Sequence, residues 1–287
     1  MTQDASIPQM RRLRTHFQFT HTPFTKQAWA SQMYDSQSQK ELCHALHLWL
    51  ELKGIGLVTG PAGVGKSITI RKFAQSLEDA RYRVIDFVLV PGTVNGFLRS
   101  LNRKLELPSR MHTSDLFDQV KRNLGEQTDG PHPLVIIDDA EGLSPAVLDV
   151  LRRLTIHSLD GEDRFSLLLS GTDTLHNALR DPALAPLVTR IAYAHQLRPF
   201  GVEDTRSYVR HHLERSGANP KMISEEAIKR IFQLSQGKPR AINQIAQHAM
   251  IAAVVAGKDI IDGDFLSSVL AAHPLFQQSG SAERRGS

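Results

Sequence analysis

GPAGVGKS, residues 60–67, follows the apolar run Ile55-Gly56-Leu57-Val58-Thr59 and precedes a segment of helical pattern. Strand, glycine-rich loop and helix in that order turn a short motif into a phosphate-binding argument. Gly60, Gly63 and Gly65 permit backbone angles that a side chain forbids, so successive loop N–H groups can point inward at an anion. The stretch Gly60, Pro61, Ala62, Gly63, Val64, Gly65, Lys66, Ser67 and Ile68 is therefore expected to enclose the phosphates of a nucleoside triphosphate. In that arrangement Lys66 reaches the β- and γ-phosphates, and the Ser67 hydroxyl ligates Mg²⁺. A chance glycine-rich turn is the alternative; the flanking strand and helix argue against it.

The 287 residues, 41% of them apolar, suffice for one large domain or two modest ones. No apolar run approaches the roughly 18 residues that span a bilayer, and no signal-peptide pattern opens the sequence. Cys43 is the single cysteine, so no intrachain disulfide is possible, which suits a reducing, cytoplasmic setting. Its place in an amphipathic segment points to a buried, inert thiol. The net charge of +4 permits nucleic-acid binding without requiring it.

Along the chain, Arg11, Arg12, Arg14 and Lys26 against Asp4 suggest a basic, mobile arm, either solvated or in contact with DNA or a partner. Leu42, Leu46, Trp49 and Leu50 predict a helix over 40–52 leading into the first strand. A helix over 68–77 follows the loop, then a mostly buried strand over 82–90, then helices over 94–105 and 114–124. Leu134-Val135-Ile136-Ile137 reads as a buried parallel strand, with further strands at 165–169 and 191–197. Ser144-Pro145 carries a cap and an N1 proline for the next helix. Such alternation means a parallel sheet with helical crossovers. Beyond Val202 only helical patterns occur, over 202–215, 225–234, 239–256 and about 264–270, and the polar stretch 277–287 reads as disordered.

Val135 to Ser144 (VIIDDAEGLS) places two carboxylates at the C-terminal end of a buried strand. Ligands of open α/β sheets bind outside those strand ends, where the glycine-rich loop also opens. Asp138 can therefore hold Mg²⁺ beside Ser67, and Asp139 can orient an attacking water. The competing reading is a pair of acids that caps the following helix.

These two motifs resemble the Walker A and Walker B motifs of AAA+ ATPases. The wider pattern is similar to the ExeA-type branch, which includes the TnsC-like ATPases of bacterial transposons. It comprises FTHTPF (Phe19–Phe24), LLLSGTDTL (Leu167–Leu175), LVTRI (Leu187–Ile191), LRPF (Leu197–Phe200) and LSQGKPRAINQIA (Leu234–Ala246), and covers about Phe19 to His273. The resemblance implies ATP and Mg²⁺ as ligands and a five-stranded parallel α/β AAA+ domain followed by an all-helical lid. The expected organisation is a basic arm over 1–26, the ATPase domain over 27–200, the lid over 201–275 and a tail over 276–287. By the same resemblance, Ser170 is the sensor-one residue with Thr172 close behind, and Arg190 is an arginine finger offered to a neighbouring subunit. Arg240 in GKPR is sensor two. Gly237 and Pro239 place Arg240 in a first helical turn, where a cation opposes the helix dipole and calls for an anion. For Arg190 an ordinary surface arginine is the alternative. The family usually has Glu where this chain has Asp139, so hydrolysis is expected to be slow or shared with Glu141.

Two roles follow from the resemblance. The first is a regulator of DNA transposition that oligomerises as a ring or filament on duplex DNA and activates a transposase. Thr93, Asn95, Arg99, Arg103 and Lys104 are its candidate phosphate contacts, on the polar side of a helix whose apolar face is Phe97, Leu98, Leu101 and Leu105. A solvated helix face is the alternative there. The second is an ATPase energising envelope secretion. That type carries a membrane span and a cell-wall-binding region after the ATPase, features without a counterpart in these residues. A non-hydrolysing ATP-binding scaffold is a third possibility, should Asp139 prove incompetent.

Overall fold

The computed structural model describes residues 9–25, 34–87, 92–125, 130–156 and 163–272. Their first elements are α1 (Gln9–Phe17), α2 (Gln37–Leu52), β1 (Ile55–Thr59), α3 (Lys66–Gln75), β2 (Tyr82–Phe87), α4 (Val94–Lys104) and α5 (Thr113–Gly125). There follow β3 (His132–Ile137), α6 (Pro145–Thr155), β4 (Ser166–Ser170), α7 (Asp173–Ala178), α8 (Ala185–Val188) and β5 (Ile191–Gln196). The last four are α9 (Val202–Arg215), α10 (Glu225–Ser235), α11 (Pro239–Ala256) and α12 (Gly263–Ala271). Two compact units result, one from residues 38–198 and the other from the described residues up to 37 and from 199 onward.

In the first unit five parallel strands pair in the order β2-β3-β4-β1-β5. Successive side chains leave opposite faces of a strand, so the continuous apolar runs of β1, β3 and β4 supply two cores. Val135, Ile137, Leu167 and Leu169 pack with Phe97, Leu98 and Leu101 of α4 and with α5 and α6. On the other face Leu134, Ile136, Leu168 and Val58 pack with Leu42, Leu46 and Trp49 of α2 and with Phe73 of α3. Ser144 caps α6 by accepting from the Val147 N–H at 3.4 Å, with Pro145 in the first turn, as the sequence predicts. The apolar face expected for α4 is fully buried.

β2 departs from expectation. It lies at the sheet edge, and of Tyr82–Phe87 only Ile85 and Phe87 are buried. Edge strands keep one flank and part of one face in solvent, so a run read as mostly buried alternates instead. Its predicted continuation over 88–90 lies outside the described residues. Cys43 is half-buried rather than enclosed.

Among its described residues the second unit is helical, apart from one parallel bridge between Ile223 and Ile261, and over 9–25 the expected mobile arm gives way to a packed one. Residues 9–25 carry helix α1, and Leu13, Phe19 and Phe24 are buried among Val209, Leu213, Ile242 and Ala246. The Thr20 N–H and hydroxyl both donate to Ser216 O at 2.9 Å, and Gln247 Nε2 donates to Phe24 O at 2.6 Å. Arginines dominate the local charge, but the apolar residues between them supply a buried stripe. The predicted tail over 277–287 lies outside the described residues.

Candidate nucleotide site

Strand register assembles the site. Val58 of β1 pairs with Ser170 of β4, and Ile137 of β3 pairs with Leu169, so Asp138 falls level with Ser170. The glycine-rich loop, Ser170 and the Asp138 turn therefore share the C-terminal edge of the sheet, with β4 between the other two strands. Neighbouring strands lie about 4.8 Å apart, which puts Asp138 about 10 Å from the loop strand.

Gly60, Gly63 and Gly65 all take positive φ, 148°, 82° and 109°, the angles the sequence demanded. At Gly60 a Cβ would stand 2.4 Å from Leu197 O, so no other residue fits. Pro61, Ala62 and Val64 complete the turn, and Ser67 and Ile68 follow Lys66 in the first turn of α3. Lys66 is 6% exposed, and its Nζ donates to Gly60 O at 2.8 Å and Pro61 O at 3.1 Å. Burial lowers its pKa, while Glu141, then Asp138, Asp139 and Asp173, act to raise it. A buried ammonium on which several nearby carboxylates act suits a polyanion accompanied by a metal ion.

Asp138 is held rather than loose. Its Oδ1 accepts from Ser170 Oγ at 2.8 Å, and its own N–H donates to Phe87 O at 3.0 Å. Asp139 is exposed at φ 52° and begins a 3₁₀ turn, Ala140–Gly142, without a side-chain capping bond. Capping of α6 belongs to Ser144, so the acids are not needed as its caps. Glu141 Oε2 accepts from the Thr172 N–H at 3.3 Å. The hydroxyl of Ser67 and the carboxylate of Asp138 are hard oxygen donors of the kind Mg²⁺ takes, together with phosphate oxygens.

Sequence reasoning missed Gln39 and Gly171. Gln39 is 7% exposed, and its Nε2 fills the space beside Gly65, where a Cβ would lie 2.8 Å away. Nothing local in the sequence signals this, because α2 and the loop meet only through packing.

Residues 50–179 match the family described as AAA domain (AAA_22). Over 254 residues, 86% of its length, the chain is 30% identical to General secretion pathway protein A of Aeromonas hydrophila, and it spans 46% of that protein. Cdc6p from Pyrobaculum aerophilum is similar in structure at a TM-score of 0.64 and 19% identity, over 90% of this chain and 70% of that one. Aeropyrum pernix ORC1 in complex with DNA gives 0.57 and 14%, over 82% and 64%. The RuvB Holliday junction branch migration motor of Thermotoga maritima gives 0.51 and 18%, over 82% and 68%. The fold is that of the AAA+ P-loop NTPases.

Within the AAA+ α/β unit, Arg190 directly precedes β5, whose Ile191 pairs with Ile55 at the start of β1. The loop leaves the other end of β1, about 17 Å along at 3.3 Å per residue. Arg240 sits in the helical unit, exposed in the first turn of α11 behind Pro239, and Gly237 has φ 68°. Of the DNA candidates, Thr93 caps α4 by accepting from the Gly96 N–H, and Asn95 accepts from Arg99 Nε at 2.8 Å. Lys104 faces Asp86 at 3.4 Å. Arg103 is exposed, and its guanidinium has no partner among the described residues. No helix among the described residues is long and apolar enough to cross a membrane.

Proposed function

We propose that the chain is an ATPase module of the ExeA type that couples ATP hydrolysis to secretion through the cell envelope. The observation that carries this reading is the 30% identity to General secretion pathway protein A, which runs through both units rather than the loop alone. It weighs more than the transposition role suggested by the sequence motifs, which the names of the relatives given above do not mention. In this reading Lys66 and the loop N–H groups hold the triphosphate. Ser67 and Asp138 would hold Mg²⁺, which would offset the negative charge of the triphosphate. Ser170 fixes Asp138, one carboxylate of the turn that follows it orients water, and Arg190 and Arg240 supply charge from a second subunit and from the lid. Because the chain matches under half of its relative, the secretion partners belong to the proposal too.

The test has two parts. Phosphate release by the purified chain establishes ATPase activity. Disruption in the host, complemented with wild type or Lys66→Ala, should stop export of secreted protein unless the ATPase is intact. Normal export in the disrupted strain would remove the secretion role.

A second reading, assembly on duplex DNA, draws on the exposed Arg99–Arg103–Lys104 face of α4 and on the DNA-bound ORC1 of like fold. Under it, Arg99→Ala with Arg103→Ala weakens ATP-dependent binding to all duplexes equally. The log–log salt slope should fall by about 0.9 for each phosphate that is no longer neutralised. Unchanged binding, or ATPase activity indifferent to DNA, leaves secretion as the standing role.

A further inference from the structure

We propose that Glu141, rather than Asp139, holds the attacking water during hydrolysis, an assignment that rests on the ATPase reading. Three successive residues, from the last of β4 onward, make three bonds to three parts of the site. The Ser170 hydroxyl donates to Asp138 Oδ1 at 2.8 Å, the Gly171 N–H to Val58 O at 3.0 Å, and the Thr172 N–H to Glu141 Oε2 at 3.3 Å. One short turn thus ties together the strand that feeds the phosphate loop, the carboxylate suited to the metal, and Glu141. Gly171 makes the close seating possible: a Cβ there would stand 2.7 Å from Glu141 Oε2 and 2.6 Å from Leu175 Cδ2.

Asp139 is placed differently. Its residue is exposed, and its backbone at φ 52° opens the 3₁₀ turn. Glu141 is half-buried and one methylene longer. With Oε2 engaged by Thr172, Oε1 has no hydrogen-bond partner among the described residues and is available to a water. Fixed orientation and partial exclusion of solvent are what a water-positioning carboxylate needs. In the step, the water oxygen bonds to the γ-phosphorus as the bond from that phosphorus to the β–γ bridging oxygen breaks. ADP leaves with the electron pair. One water proton stays on the new phosphate, and the other passes to Glu141 Oε1 and then to solvent.

Glu141→Gln is the informative variant, because glutamine still accepts from the Thr172 N–H but cannot take up a proton. Turnover by the full chain should drop by about 100-fold or more, the usual weight of such a group. Affinity for a fluorescent ATP analogue should stay within about twofold, a loss confined to the transition state. The variant should also retain unhydrolysed ATP through gel filtration. Glu141→Asp, with the carboxylate withdrawn, should likewise bind and fail to turn over. Asp139→Asn should lose no more than about fivefold, a smaller effect than removal of the water-holding group. Near-wild-type turnover by Glu141→Gln, or a loss in Asp139→Asn equal to or greater than its own, overturns the assignment. A wild-type chain that binds ATP tightly yet releases no phosphate would instead overturn the ATPase reading beneath it.

Discussion

Lys66 shows how much one side chain carries. Its ammonium is withdrawn from water and bonded to two loop carbonyls, and four acids favour its charged form. Its positive charge is therefore poised for phosphate oxygens. Lys66→Ala should weaken ATP binding by about 2–5 kcal/mol, the cost of truncating a buried charged partner. A melting temperature that no longer rises with added ATP would register the loss; an undiminished rise would take Lys66 out of the site. Gly171→Ala forces a methyl group against Leu175 and Glu141, and overpacking of that kind costs about 1–3 kcal/mol of stability. Urea denaturation measures it. The glycine-rich loop was legible because its residues are contiguous and its φ angles demand glycine. Asp138 and Ser170 were legible singly, as strand ends. Their bond, and that of Glu141 to Thr172, join residues about thirty apart through strand adjacency, which no local pattern records.

Elements were read best where end signals are chemical. Bounds of α9 and α11 match the expectation, the latter because Pro239 opens it and Gly257 closes it in the left-handed region. α7 and α8 went unread, being too short to express a period. α1 reads as a tail in the sequence because its charges are conspicuous and its buried residues few. α9 has a further consequence in acid. His212 is 2% exposed, its Nδ1 has no partner among the described residues, and burial, with His211 and His21 nearby, lowers its pKa to about 4. The folded state refuses a proton that the unfolded chain accepts near 6.5. Stability is thus complete above about pH 6.5 and declines as pH falls toward 4, by up to about 3 kcal/mol. Denaturation at pH 7.5 and 5 should show the drop, and His212→Phe should reduce it, leaving the share of His132, whose pKa burial also lowers to about 4. An unchanged slope would mean that other groups set the acid limb.

For the whole molecule the sharpest expectation concerns assembly. Arg190 stands at the end of the sheet away from its own phosphate loop, as a finger for another copy would. Arg190→Ala should bind ATP normally and lose turnover by about 10³–10⁵, the weight of such a finger in well-studied NTPases. Mixing it with Lys66→Ala should restore part of the activity, because hybrid interfaces pair an intact loop with an intact arginine. Loss without rescue would give Arg190 a role within its own chain, and undiminished turnover would give it none.

The helical unit is assembled from residues 9–25, 34–37 and 199–272, with the α/β unit between them in the chain. Order of synthesis acts on that arrangement. Leu13, Phe19 and Phe24 leave the ribosome ahead of the α/β unit, but Val209 and Leu213, against which they pack, arrive more than 180 residues later. At about 5–20 residues per second, that is a wait of roughly 10–40 s. Meanwhile the sheet can close by residue 196, so the nascent chain holds a finished α/β body with an apolar leader outside it. A chaperone that grips that leader would govern the yield of folded protein, and trimming the first 25 residues would remove part of the last unit to fold.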